Sequence, residues 1–380
     1  MDNERDAQAG SVGIGIDRRG LMSGATKIVA AAAAGQLLDP STALAAEARA
    51  PAVASEKDAL HVPARVVPTP KTISREAQEF LVAGASRLMA STTAAEQPAI
   101  SDKAGWKAHI AAVNGSFSPM IDQLLKSPAK VERKTMGGAN VCVGTPNEMR
   151  HPDRARLCIH GGAFIVLGGR FVEGDAAQMA AEGGCVAYSI DYRMPPDFPF
   201  PAAVDDCVAA YREMIKTYDP KKIAISGASA GGNLAGAVTL KIRDLGLPMP
   251  GVVGMMTPVT DLSGLGDTRN TNVGVDVVLN DLHGDRALPL YANGHDLKDP
   301  YLSPVFGDFS KGFPPTFLQS GTRDLLLSDT VRMHRGLVRA GIAAELHVWE
   351  AAPHGGFGGS SPEDIEIRQQ FLKFMDKHMA

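Results

Sequence analysis

From Val131 onward the chain alternates short β-branched runs with helix-length segments, and this alternation restricts its fold more than any other feature. Strands are predicted at 131–136 and 140–144, as a hairpin, then at 155–160, 185–190, 222–226, 251–257, 315–319 and 344–350. Helix-length segments fall between and after them near 171–182, 202–217, 230–244, 328–340 and 362–378. Strands separated by helices of this length predict an α/β fold: a mostly parallel, eight-stranded sheet covered on both faces. The stretch 258–312, rich in Gly, Asp, Asn and Pro, breaks the rhythm and reads as an insertion that contributes to a cap or pocket.

Within that pattern, Ile223-Ala224-Ile225-Ser226 runs straight into Gly227-Ala228-Ser229-Ala230-Gly231 and then into a helix. Strand, Gly-x-Ser-x-Gly and helix form a nucleophile elbow, in which a serine sits on a strained turn and small neighbours keep the adjacent strand and helix from colliding. A serine hydroxyl is a weak nucleophile, so the motif needs a base and an orienting carboxylate. Both are available downstream. Strand 315–319 leads to Asp324, and strand 344–350 leads to His354 in Pro353-His354-Gly355-Gly356. In a parallel sheet these loops open on one edge, so Ser229, Asp324 and His354 are predicted to converge in the order an α/β-hydrolase topology produces. Asp261, after strand 251–257, is the rival for the acid.

His160-Gly161-Gly162-Ala163-Phe164 follows strand 155–160. Acyl transfer builds negative charge on a former carbonyl oxygen, and backbone N–H groups of a glycine-rich loop can be aimed at it. The N–H groups of Gly162, Ala163 and Ala230 are the oxyanion-hole candidates, with Gly161 shaping the turn. His160 itself reads as a hydrogen-bonded structural residue in preference to a base. Asp205 and Asp206 read as a solvated or ion-paired helix face, and Met255 and Met256 as core.

Taken together, His160-Gly161-Gly162-Ala163, the run Asp191-Tyr192-Arg193-Met194-Pro195-Pro196-Asp197 into Pro199-Phe200-Pro201-Ala202-Ala203-Val204-Asp205-Asp206, and Gly227-Ala228-Ser229-Ala230-Gly231-Gly232 resemble the hormone-sensitive-lipase-like bacterial carboxylesterases of the α/β-hydrolase superfamily. The resemblance spans 131–380. It implies an α/β-hydrolase core with an N-terminal helical cap, no cofactor, and hydrolysis of small carboxylic esters, and it favours Asp324 over Asp261 as the acid. Two positions depart from the pattern: Ala163 replaces a third glycine, and Ala228 replaces an aspartate before the serine.

The rest of the chain is divided by composition. Arg18-Arg19-Gly20-Leu21-Met22-Ser23, an Ala-rich run and Ala43-Leu44-Ala45 resemble a twin-arginine export signal over 1–45, which implies a periplasmic or secreted protein, or a cytoplasmic one should the leader not function. Gly13-Ile14-Gly15 belongs to that leader. Residues 46–75 read as an extended arm, which could reach a partner subunit and so make a homodimer, and 76–130 as the helical cap, with two or three helices between Ser74 and Leu125. With 38 basic and 42 acidic residues, a net charge of −4 argues against a nucleic-acid partner. No apolar run approaches the ~20 residues that span a bilayer. Cys142, Cys158 and Cys185 sit in apolar runs and read as free thiols, and the scattered histidines offer no metal-ligand set.

The expected function is therefore a serine carboxylesterase acting on small-molecule esters, with xenobiotic esters among the candidates and neither metal nor cofactor. An amidase or lactonase using the same three residues, or a non-catalytic ligand-binding protein on the same fold, are the alternatives.

Overall fold

The computed structural model describes residues 60, 62–90, 97–280, 282 and 285–379. The leader expected over 1–45 and most of the first half of the arm lie outside the described residues. The elements are α1 (Arg75–Ala90), α2 (Lys103–Ser116), α3 (Ser118–Leu124), β1 (Ala129–Met136), β2 (Ala139–Pro146), β3 (Ala155–Ile159), α4 (Arg170–Gly183), β4 (Val186–Asp191), α5 (Ala202–Met214), β5 (Ile223–Ala228), α6 (Ala230–Asp244), β6 (Val252–Met256), α7 (Thr268–Thr271), α8 (Ala287–Ala292), β7 (Thr316–Gly321), α9 (Leu327–Arg339), β8 (Ala344–Trp349) and α10 (Pro362–His378).

The eight strands form one sheet in the order β1-β2-β4-β3-β5-β6-β7-β8. β1, β2 and β4 pair antiparallel, and every pairing from β4-β3 through β7-β8 is parallel. This is the mostly parallel sheet the alternation predicts. The central strands are buried on both faces, so they read as continuous apolar runs whose side chains alternate between two cores. Ile225, Val253 and Leu318 enter a core with α5, α6 and α9, while their neighbours Ala224, Val252 and Phe317 pack against Phe371, Phe374 and Met375 of α10. α4 covers the same face as α10 further along, placing Ala180 against Cys158 and Ala187.

The region before β1 does hold helices. α2 and α3 bury Trp106, Phe117, Met120, Ile121 and Leu124 against Phe171 and Val172 of α4 and against the loop 165–167. α1 goes elsewhere: Ala77 and Leu81 pack on Ala351, Ala352 and Phe357, the loop that carries His354. α10 starts with a capping box, in which the Ser361 hydroxyl accepts from the Asp364 N–H and the Asp364 carboxylate accepts from the Ser361 N–H. Asp364 also accepts the N–H groups of Phe357 and Gly359, fastening the other end of that loop.

The insertion is built around two short helices, α7 and α8, four and six residues long. Helices this short leave no readable periodicity.

Candidate active site

The register of the parallel strands brings the expected loops together. Ile159, at the end of β3, lies opposite Gly227 of β5, and Gly321 of β7 lies opposite Trp349 of β8. The loops after β3, β5, β7 and β8 therefore open on one edge of the sheet.

Ser229 links β5 to α6 with φ 58° and ψ −119°, a conformation costly for any residue with a Cβ. The surroundings hold it there. Its N–H donates to the Met256 carbonyl, and its own carbonyl accepts from the Asn233 N–H. Close approach is what demands glycine on either side: a Cβ added to Gly231 would lie 1.9 Å from the Ile159 carbonyl oxygen, and one at Gly227 would lie 2.3 Å from the Gly231 oxygen. The elbow thus presses directly on the end of β3.

His354 and Asp324 are both buried. The imidazole bridges the two loops: Nε2 is 2.9 Å from the Ser229 Oγ, and Nδ1 is 3.1 Å from the Asp324 Oδ1. A carboxylate accepts only, so Nδ1 carries the proton and Nε2 is free to accept the Ser229 hydroxyl. Asp324 is itself oriented, with Oδ1 accepting the Leu326 N–H and Oδ2 the Ser320 hydroxyl. Backbone bonds join the two loops, since the Thr322 N–H donates to Trp349 and the Arg323 N–H to Ala352.

Asp261, the rival acid, is engaged elsewhere. Its carboxylate takes hydrogen bonds from Arg332 and Ser263. Burial opposes its ionisation, yet those bonds hold the carboxyl below the usual range. Both aspartates follow strands, but their partners differ, Arg332 and Ser263 on Asp261 and His354 on Asp324.

The loop after β3 lies against the elbow. A Cβ on Gly161 would come 2.9 Å from the Ala228 carbonyl oxygen and 3.4 Å from the Ser229 Cβ. Gly162, Ala163 and Phe164 all have positive φ, at 92°, 50° and 65°. Among the described residues, none of the N–H groups of Gly162, Ala163 and Ala230 has a protein acceptor. Unpaired donors beside a nucleophile are what an oxyanion hole requires. His160 is buried, its ring stacked on Tyr192 at 4.1 Å and its Nδ1–H donating to the Gly161 carbonyl. Burial pushes its imidazole down to about 4, so it is a neutral structural residue at pH 7.

Asp206 and Asp205 are ion-paired, with Arg193 and Lys241 respectively; Asp205 lies on an exposed helix face, while Asp206 is buried beside a guanidinium contact of 2.7 Å. All four cysteines are free and buried. Among the described residues there is no group of His, Cys, Asp and Glu able to hold a metal ion, and no helix long and apolar enough to cross a membrane.

Asp276, in the insertion, was not anticipated. It is fully buried, and its carboxylate accepts the N–H groups of Val278, Leu279, Leu325 and His354. A lone carboxylate inside Val275-Asp276-Val277-Val278-Leu279 was the available signal, because a charge in an apolar run must find buried partners.

Comparison with known proteins identifies the family of the fold. A match to the alpha/beta hydrolase fold family covers residues 156–357, more than half of the chain. An acetyl-hydrolase of Streptomyces hygroscopicus is 30% identical over 206 residues, spanning 54% of this chain and 69% of that protein. A carboxylesterase of Mycobacterium tuberculosis is 33% identical over 213 residues, spanning 52% and 64%. Among solved structures, the esterase E25 superposes with a TM-score of 0.76 at 32% identity, covering 85% of this chain and 100% of that one. An esterase from the bacterial hormone-sensitive lipase family gives 0.68 at 27% identity, covering 81% and 99%. The chain belongs to the α/β-hydrolase fold family and, within it, to the hormone-sensitive-lipase-like esterases.

Proposed function

We propose that the chain is a serine carboxylesterase that cleaves small carboxylic esters through an acyl-enzyme on Ser229, with His354 as the base and Asp324 as its orienting carboxylate. The observation that carries this reading is the imidazole of His354 spanning the 2.9 Å to the Ser229 Oγ and the 3.1 Å to the Asp324 Oδ1. His354 Nε2 takes the hydroxyl proton as Oγ attacks the ester carbonyl. Asp324 keeps the other nitrogen protonated and stabilises the imidazolium that forms. The tetrahedral oxyanion is held by the N–H groups of Gly162, Ala163 and Ala230, and losing one such donor typically raises the barrier by ~2.7–4 kcal/mol. His354 then delivers its proton to the leaving alkoxide, and the alcohol departs. Water, activated by the same Nε2, attacks the acyl-enzyme and releases the acid and free Ser229.

The relative named acetyl-hydrolase supports a short acyl group. The helices α1, α2 and α3 and the insertion would border the pockets for acyl and alcohol, and small xenobiotic esters fit the same chemistry. The test is a panel of p-nitrophenyl esters varied in acyl length, alkyl acetates varied in alcohol, and matched anilides and lactones. Short esters are expected to be turned over fastest; Ser229→Ala should fall to background, and Asp324→Asn should lose about 10⁴-fold in kcat while staying folded. Retained turnover by purified Ser229→Ala would overturn the reading.

A further inference from the structure

Asp276 stands behind the His354 and Asp324 loops rather than among the reacting atoms. Its Oδ2 accepts the Leu325 N–H at 2.9 Å and the His354 N–H at 3.2 Å. Its Oδ1 accepts the Val278 N–H at 2.8 Å and the Leu279 N–H at 3.1 Å, and lies 3.3 Å from the His354 nitrogen. One carboxylate therefore gathers backbone donors from three segments that are 49 and 78 residues away from it or adjacent to it in sequence. Leu325 is the neighbour of Asp324, so two of the donors that Asp276 holds belong to His354 itself and to the residue beside Asp324, on the two loops whose spacing sets the imidazole bridge.

The site is fully buried, and the titratable groups that act on Asp276 are Asp324 and His354. Two buried carboxylates lie within electrostatic reach of one imidazole, an arrangement that favours the cationic ring. Neutral residues could tie loops together; a buried anion adds a field at the ring that must become positive. Its cost is visible, since burial and the nearby Asp324 carboxylate push the Asp276 carboxyl up to about 6.

We propose that Asp276 is a positioning residue of this esterase: it fixes the separation of the His354 and Asp324 loops and supplies a second negative charge behind the imidazolium formed in each half-reaction. The inference rests on the reading of Ser229, His354 and Asp324 given above. It makes Asp276 an electrostatic as well as a mechanical support, which a loop staple alone would not be.

Two variants separate the two contributions. Asp276→Asn removes the charge with little change in shape, and Asp276→Glu keeps the charge but displaces it. For Asp276→Asn, folded by circular dichroism, kcat on p-nitrophenyl acetate is expected to fall about 10- to 100-fold, up to the cost of a ~1 Å misplacement of the catalytic groups, with KM little changed. The acid limb of kcat/KM should move to lower pH by roughly one unit, because the site loses a counter-charge. Asp276→Glu is expected to lose kcat while keeping the parent's acid limb.

Folded Asp276→Asn with the parent's kcat and acid limb would overturn the proposal. A kcat loss with an unmoved limb in Asp276→Asn would overturn the electrostatic half. If Asp276→Asn fails to fold, Asp276→Glu decides by its kcat, and failure of both to fold would leave a structural staple only, against the proposal. Ser229→Ala, run alongside, tests the underlying reading separately, since activity surviving there would remove the site itself whatever Asp276 does.

Discussion

Gly231→Ala is the perturbation whose consequence can be worked most directly from distances. The new methyl group would sit 1.9 Å from the Ile159 carbonyl oxygen and 2.7 Å from that of His160. Ordinary contact begins at 3.4 Å, so the start of α6 and the end of β3 must separate by about 1.5 Å. Both neighbours are backbone, at the end of a central strand, and neither can rotate away as a side chain could. Ser229 lies two residues before the methyl, and the loop Gly161–Ala163 begins two residues after Ile159. The separation therefore opens both the 2.9 Å contact of Ser229 with His354 and the approach of the oxyanion donors to the same site. A misplacement of ~1 Å typically costs about 10²-fold, so kcat/KM should fall at least about 100-fold. Overpacking costs ~1–3 kcal/mol, which lowers Tm by several degrees in a domain of this size.

The assay is initial-rate hydrolysis of p-nitrophenyl acetate, normalised to folded protein, beside calorimetry. Gly115→Ala is the control, because no atom lies within 4 Å of its Cβ position and it is in α2, where alanine is the better helix former. It should leave activity unchanged and stability equal or higher. If Gly231→Ala kept kcat/KM within about threefold of the parent, far short of the loss a displaced nucleophile brings, the argument from close packing at the elbow would be wrong.

Two further outcomes are expected. Burial pushes the Asp175 carboxyl up from 3.8 to about 6, against the opposing Ser189 hydrogen bond and Arg156 charge and with the Glu182 carboxylate adding to the rise. The folded chain then binds this proton more tightly than the unfolded one, so stability is lost as pH rises from about 4 to about 6 and stays reduced above. Asp175→Asn should gain on the parent across that window by up to ~3 kcal/mol in denaturant unfolding, and a difference independent of pH would contradict the assignment. The thiols give a simpler check. Burial raises Cys142 to about 11 and Cys158 to about 12, and all four cysteines are buried and free, so Ellman's reagent should react slowly or not at all with the native protein and with all four after unfolding.

Much of this was legible in sequence for identifiable reasons. β3, β5, β6 and β7 are buried on both faces, so they stand out as apolar runs between helix-length segments, and their loops had to share an edge. Ser229, Asp324 and His354 each follow a strand end, which made their convergence a property of topology. What could not be read depends on distant partners. What distinguishes Asp324 from Asp261 in space is Arg332 and Ser263 on one carboxylate and His354 on the other. Asp276 shows locally only as a lone carboxylate in an apolar run, since its link to the site lies in the Leu325 and His354 amides far along the chain. The packing of α1 on the His354 loop was likewise hidden, because a helix's apolar stripe does not say which surface receives it.

The central claim is that Ser229 becomes acylated. Protein quenched in acid during turnover of p-nitrophenyl acetate, then digested and read by mass spectrometry, tests it directly. An acetyl group on the peptide carrying Ser229, absent from Ser229→Ala and lost on further incubation before quenching, is the predicted result. Turnover with no acetyl group on Ser229, or an acetyl group on another residue that persists in active Ser229→Ala, would contradict it.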